Sequence, residues 1–164
     1  MRIRKTLKLL KTVTKETPGW SSDNLPPRWC PINSKTRPMA GDWKWRAARA
    51  SSDARGFVIF AQVAPRKGNW KAVLIEELAA GSSVIARYEF HASHPGIHVH
   101  SDCDRCGVEV GASSMDRLTR FPKASSNHRR QQSFDESSFW RSALSFFNVM
   151  ETKGGPEDLF SGLF

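Results

Sequence analysis

Residues 83–102 of the chain are SVIARYEFHASHPGIHVHSD, a pattern typical of a β-hairpin. Two alternating segments, residues 83–91 and 97–102, flank a Pro-Gly pair that favours a type II turn. Because successive side chains of a strand point to opposite faces, only one pairing parity keeps the apolar side chains together. The pattern therefore predicts a hairpin with one apolar face and one ionisable face.

The two predicted faces of this hairpin differ in chemistry. The apolar face consists of Ala86, Tyr88, Phe90, Ile97, Val99 and Ser101. The ionisable face consists of Arg87, Glu89, His91, His98, His100 and Asp102. It holds three of the five histidines of the chain, whereas a solvated strand face is ordinarily built from Thr, Lys, Glu and Ser. We therefore expect a functional site on the ionisable face, and a merely solvated face is the alternative.

General acid–base chemistry is the first interpretation of the ionisable face. Its catalytic candidates are His91, His98, His100, Glu89, Asp102 and Arg87. Imidazole titrates near neutrality, so the histidines can take a proton from an attacking hydroxyl and return one to a leaving oxygen. The guanidinium is suited to neutralise phosphate charge, and the two carboxylates orient an imidazole or act as base. This interpretation requires no cofactor.

A transition-metal site is the second interpretation of the same region. His98 and His100 stand two apart on a strand and so point the same way, which suits two ligands on one ion, and His91 would supply a third. Alternatively, Cys103 and Cys106 join His98 or His100 in a structural zinc site. Zinc is therefore the cofactor of the alternative interpretation.

The chain is strongly basic. Its 25 Lys and Arg residues against 16 Asp and Glu residues give a net charge of +9 at pH 7, which predicts a nucleic-acid partner, with RNA preferred. The candidate nucleic-acid contacts are Lys44, Arg46, Arg129 and Arg130. No apolar run is long enough for a membrane span or a secretory signal, and the three cysteines cannot all pair internally. We therefore expect a cytoplasmic protein.

The segments before the hairpin complete most of the predicted fold. Residues 1–16 are predicted to form a basic amphipathic helix, and residues 17–42 a Pro-rich arm that lies over the surface or binds a partner. An antiparallel meander of about five strands is predicted within residues 43–106. Its strands are expected at residues 43–50, 57–64, 70–78, 83–91 and 97–102.

The segments after the hairpin are predicted to be a basic loop at residues 107–132 and a C-terminal helix at residues 133–153. Ser133 and Glu136 have the spacing of a capping box for this helix. Its apolar face is predicted to be Phe139, Trp140, Ala143, Leu144, Phe147 and Met150. We expect the helix to cover one face of the sheet and to leave the histidine-bearing face open.

The tail at residues 154–164 combines two acids with four large apolar side chains. The apolar residues are Leu159, Phe160, Leu163 and Phe164. Such a segment is too apolar to be well solvated, so we expect it to dock on this domain, on a second copy in a homodimer, or on an inhibitor protein.

The sequence as a whole predicts a single α+β domain over residues 1–164. The expected function is a small RNA- or DNA-directed phosphodiesterase, in particular a metal-independent ribonuclease of the bacterial toxin or defence type. Catalytic groups on the face of a small antiparallel sheet flanked by helices resemble, in architecture only, ribonucleases such as barnase. The alternative is a non-catalytic nucleic-acid-binding or regulatory module with a structural zinc site.

Overall fold

A computed structural model describes residues 2–32, 35–91, 96–101, 118–120 and 133–152. The helices are α1 (Arg2–Lys8) and α2 (Glu136–Phe146), and short 3-10 turns occur at Pro27–Trp29 and Pro65–Lys67. The strands are β1 (Lys11–Glu16), β2 (Lys44–Ser52), β3 (Arg55–Ala64), β4 (Asn69–Leu78), β5 (Gly81–His91), β6 (Gly96–Ser101), β7 (Leu118–Arg120) and β8 (Val149–Met150). No helix within these ranges is long and apolar enough to cross a membrane.

The eight strands form one mixed sheet in the order β7-β6-β5-β4-β3-β2-β1-β8. Strands β1 to β7 pair with their chain neighbours in antiparallel fashion, whereas β8 is parallel to β1. The sheet curls into a half-barrel, and α1 contacts β5, which lies four strands away from β1. The fold is therefore α+β-like, with more strands and more curvature than the predicted five-stranded meander.

One face of the sheet, which we call the helix face, packs against α2. The helix-face core includes Phe57, Ile59, Trp70, Leu74, Tyr88, Phe90, Ile97 and Val99, together with Phe139, Trp140, Ala143, Leu144 and Phe147. Tyr88 stacks on Phe139 and Phe146, with ring centroids 5.8 and 5.2 Å apart, and its hydroxyl lies 2.7 Å from Ser142 Oγ. The predictions that the C-terminal helix covers one sheet face and that Tyr88 is a core residue are confirmed.

The opposite face, which we call the arm face, is partly covered by the Pro-rich arm. The arm residues Leu25, Trp29 and Cys30 are buried here against Trp45, Ala47, Val58, Phe60, Val73 and Ile75. The prediction that the arm lies over the surface is confirmed, but the prediction of an open second face was wrong. Strand β3 is buried along both faces from Phe57 to Ala64, so each face needs a covering layer.

The N-terminal helix is shorter than predicted. It ends at Lys8, and residues 11–16 form β1, so the prediction of one helix over residues 1–16 was wrong. Thr12, Val13 and Thr14 are β-branched, which disfavours a helix and favours a strand. Pairing with β2 and β8 supplies the backbone hydrogen bonds that a continued helix would otherwise have made.

The N-terminal cap of α2 is not the predicted one. Asp135 caps the helix: its side chain accepts a 2.6 Å hydrogen bond from Ser138 N, and Asp135 N donates to Ser138 Oγ at 2.9 Å. The predicted box of Ser133 and Glu136 was therefore wrong by two residues. The type of motif was right, since a capping box is present.

The C-terminal end of α2 also differs from the prediction. The helix ends at Phe146 instead of residue 153, and Asn148 has a φ of +54°, a left-handed conformation that Asn tolerates at helix ends. The chain then pairs with β1 as β8. Met150 is consequently 53% exposed instead of lying on the buried helix face.

Several predictions fall on residues that are not described. Within the predicted basic loop, Leu118–Arg120 forms β7 on the edge of the sheet instead of a loop. The rest of that loop lies outside the described residues, as does the C-terminal tail. The predicted site or docking residues that lie outside are Asp102, Cys103, Cys106, Arg129, Arg130, Leu159, Phe160, Leu163 and Phe164.

Candidate functional site

The register of β5 and β6 confirms the predicted parity of the hairpin. Arg87 lies opposite His100, and Glu89 lies opposite His98. Tyr88 pairs with Val99 in the same register and belongs to the helix-face core. The positions of the arginine, the glutamate and the two histidines therefore share the arm face.

Glu89 lies at the centre of this cluster, and its side chain is only 9% exposed. Its Oε1 lies 3.0 Å from Arg87 Nε, and its Oε2 lies 3.4 Å from His91 Nε2. The Nε–H of Arg87 is not directed at this oxygen, so the contact is an ion pair without a hydrogen bond from that nitrogen. A carboxylate buried to this extent needs a cationic neighbour, and Arg87 supplies one.

His91 is oriented by a residue of β4. Its Nδ1 lies 2.8 Å from Oδ1 of Asn69, its partner in the β4–β5 register. Because an amide oxygen is an acceptor, this contact assigns an N–H to Nδ1, and Nε2 faces Glu89. The imidazole is 35% exposed, so it can reach a substrate that the buried carboxylate cannot.

Lys71 on β4 is a residue of the site that the sequence analysis missed. It lies opposite Glu89 on one side and opposite Gln62 on the other. Burial lowers the pKa of Lys71, Glu89 opposes this shift, and Arg87 and Arg37 add to it. The sequence signal that could have found it is the alternation of side chains along β4, which places Lys71 on the face opposite Trp70.

A row of polar residues crosses the sheet through this site. Its members are successive cross-strand partners from β3 to β7, namely Gln62, Lys71, Glu89, His98 and Arg120. Neighbouring strands are about 4.8 Å apart, so the row spans about 19 Å. It begins beside the arm, where Gln62 Nε2 lies 3.9 Å from the sulfur of Met39.

Two predicted nucleic-acid contacts lie away from this row. Lys44 and Arg46 belong to the helix face, where Lys44 Nζ lies 2.6 Å from Glu136 Oε1 and Arg46 Nη2 lies 3.0 Å from Glu16 Oε2. The Arg46 guanidinium also lies 4.7 Å from the ring centroid of Trp140. Both cations are therefore engaged within the fold and are not brought together with the histidine positions.

Metal binding finds no support in the part of the chain that the structure describes. No group of three or more His, Cys, Asp or Glu residues suited to hold a metal ion occurs among these residues. Burial raises the pKa of the Cys30 thiol to about 11, so this cysteine is protonated at neutral pH and is a poor ligand. The zinc alternative also requires Cys103 and Cys106, which lie outside the described ranges.

Comparisons with known proteins add no functional information. No protein-family model matches the chain, and neither a curated protein nor a solved structure does. Its function must therefore be inferred from the chemistry and charge of the arm face.

Proposed function

We propose that the protein is a small nucleic-acid-directed phosphodiesterase, and specifically a metal-independent ribonuclease. The observation that carries the proposal is the contact of one buried carboxylate, Glu89, with both Arg87 and His91. Two further histidine positions, 98 and 100, lie directly across the strand. Such a set combines proton-transferring groups with a cation suited to phosphate.

The proposed reaction is an attack by the ribose 2′-hydroxyl on the adjacent phosphorus. A base removes the proton of this hydroxyl, the bond between phosphorus and the 5′-oxygen breaks, and an acid gives a proton to that oxygen. The products are a 2′,3′-cyclic phosphate and a 5′-hydroxyl. Atoms and charge balance without a metal ion, because the base and the acid carry the transferred protons.

The contacts favour different roles for the individual groups. Glu89 is buried and already engaged with Arg87 and His91, which favours an orienting role over direct attack on a substrate proton. His91, held at Nδ1 by Asn69, is a candidate acid or base through Nε2. His98 and His100 remain the candidates for the complementary proton transfer. Arg87 would stabilise the charge that grows on the phosphate oxygens.

The decisive test is the degradation of RNA by the purified protein in the presence of EDTA. Replacing His98 or His100 by Ala is expected to lower the cleavage rate about a hundredfold or more, the usual effect of losing a general acid or base. His128→Ala, outside the hairpin, is the matched control and should cleave at the wild-type rate. The product ends, identified by mass spectrometry, should be cyclic phosphates.

Two outcomes would contradict the proposal. The first is an absence of cleavage with RNA and DNA substrates alike. The second is about one zinc ion per chain whose removal unfolds the protein, because a structural site of this kind supplies folding energy. The second outcome would favour the non-catalytic zinc module and would assign His98, His100, Cys103 and Cys106 as its ligands.

A further inference from the structure

Lys71 carries a cationic group that is not held in a close ion pair by the described part of the fold. It lies between Gln62 and Glu89 in the strand register, in the middle of the arm face. No residue in the described ranges forms a hydrogen bond or a close ion pair with its ammonium, although the ammonium is partly buried. Glu89 is close enough to interact electrostatically but is already in contact with Arg87 and His91.

A second cation reaches the same place from the arm. Arg37 pairs with Leu25 through two backbone hydrogen bonds of 2.8 and 2.9 Å, and Leu25 is buried in the arm-face core. This pairing holds Arg37 near Lys71, and the two cations interact electrostatically with each other and with Cys30. The Arg37 side chain is exposed and has no ion-pair partner within the described part of the chain.

The charges around Lys71 do not balance. Lys71, Arg37 and Arg87 are three cations, and among the residues that the structure describes Glu89 is the only carboxylate that interacts with Lys71. Cys30 contributes no negative charge near neutral pH, because burial keeps its thiol protonated. Like charges that converge at a partly buried site repel one another more strongly than in water, and a bound anion would remove this repulsion.

We propose that Lys71, Arg37 and Arg87 form a phosphate subsite at the boundary between the arm and the sheet. The inference rests on the proposed function, since the bound group would be a phosphodiester of the RNA next to His91. It gives Lys71 a role in binding, adds Arg37 to the site and makes the arm a part of the site. A tetrahedral oxyanion offers acceptors to the ammonium and to both guanidinium groups at once.

The test measures the binding of inorganic phosphate without RNA, so it does not depend on catalysis. Phosphate is titrated against chloride at constant ionic strength, and binding is followed by the chemical shifts of backbone amides. Lys71→Met and Arg37→Met are each expected to weaken phosphate binding about tenfold or more, the effect of one lost charged hydrogen bond. Lys67→Met, at an exposed lysine in the turn before β4, should bind phosphate like the wild type.

The outcomes separate this inference from the proposed function. Weaker phosphate binding by both variants, with the control unchanged, supports the subsite whether or not RNA is cleaved. Wild-type phosphate binding by both variants overturns the subsite even if RNA is cleaved, as does a wild type that binds no phosphate. Melting temperatures measured without phosphate verify folding, and if Lys71→Met does not fold, the exposed Arg37→Met decides the matter.

Discussion

Among single residues, Lys11 shows how strongly one side chain can tie distant segments together. Its side chain is buried, and Nζ donates hydrogen bonds of 2.8, 2.9 and 2.8 Å to the carbonyl oxygens of Thr6, Leu9 and Phe147. Burial, with a contribution from Arg55, lowers the pKa of Lys11 to about 8, so the amine is still protonated at neutral pH. Three N–H groups thus meet three acceptors from the ends of both helices.

Replacing Lys11 by Met is expected to lower the free energy of unfolding by about 3 kcal/mol. Each carbonyl that loses its donor costs about 1 to 3 kcal/mol, and removing a desolvated charge offsets part of this loss. Lys15→Met is the control, because Lys15 lies exposed on the same strand. Urea unfolding of the three proteins measures the difference. Equal midpoints for Lys11→Met and the wild type would show that these hydrogen bonds contribute nothing.

The residues of the site were only partly predictable from the sequence. Alternation placed Arg87, Glu89 and His91 on one face, because any other parity would divide the apolar side chains of the hairpin. Lys71 and Arg37 could not be assigned in this way. The pairing of β4 with β5 and the path of the arm depend on contacts between segments distant in sequence, which local patterns do not specify.

Among the elements, β1 shows why a local pattern can indicate the wrong structure. Residues 11–16 read KTVTKE, with Val13 as the only apolar residue, so the alternation of a strand is hardly visible. Lys11 occupies a buried position that a pattern analysis expects to be apolar. The strands β2 to β6 were predicted correctly because their apolar residues alternate or run continuously through the segment.

The N-terminal cap of α2 gives a prediction that separates the observed motif from the expected one. Asp135→Ala should lower the melting temperature at neutral pH, because the carboxylate accepts the hydrogen bond of Ser138 N at the helix start. Ser133→Ala should leave it unchanged. Thermal unfolding monitored by circular dichroism compares the two variants. A larger decrease in melting temperature for Ser133→Ala than for Asp135→Ala would show that Ser133 is the cap.

Acidification should remove this difference between Asp135→Ala and the wild type. Hydrogen bonds from the backbone and side chain of Ser138 lower the pKa of Asp135 below its ordinary 3.8. A carboxyl whose pKa is lowered by folding stabilises the protein fully above the unfolded pKa, and this stabilisation is lost as the pH falls through the folded pKa. The two melting temperatures should therefore converge in that range. A difference in melting temperature that stays constant down to the folded pKa would contradict the assignment of Asp135 as the cap.

For the molecule as a whole, the arm is the feature that most changes the predicted picture. It covers the part of the arm face next to the polar row, so the candidate site lies beside the arm and not on a fully open sheet face. This could have been inferred from β3, where every residue from 57 to 64 except Gln62 is apolar, on both faces. The sequence pattern predicted an arm over the surface but did not indicate which sheet face the arm covers.

The net charge of +9 predicts that RNA binding depends strongly on salt. Each phosphate contact with single-stranded RNA contributes about 0.7 to the slope of log affinity against log salt concentration. Replacing both Arg129 and Arg130 by Ala should reduce this slope by about 1.4 if each contacts one phosphate. The control replaces Lys44 and Arg46 by Met, since both are held in ion pairs on the helix face. An unchanged slope in the variant that lacks Arg129 and Arg130 would show that these two residues do not contact phosphates.

The parallel pairing of β8 with β1 bears on the order in which the chain folds. Every other strand pair joins chain neighbours, whereas the contact of Lys11 with Phe147 closes a separation of 136 residues. Closing so long a loop costs more entropy than closing a hairpin, so the hairpins should form before β8 pairs with β1. Val149→Ala is then expected to speed unfolding about tenfold while the refolding rate barely changes. Stopped-flow kinetics measures both rates. A lower refolding rate in Val149→Ala would instead show that the β1–β8 pairing is already formed in the folding transition state. The pairing of β1 with β8 is thus expected to control how long the native state persists before it unfolds.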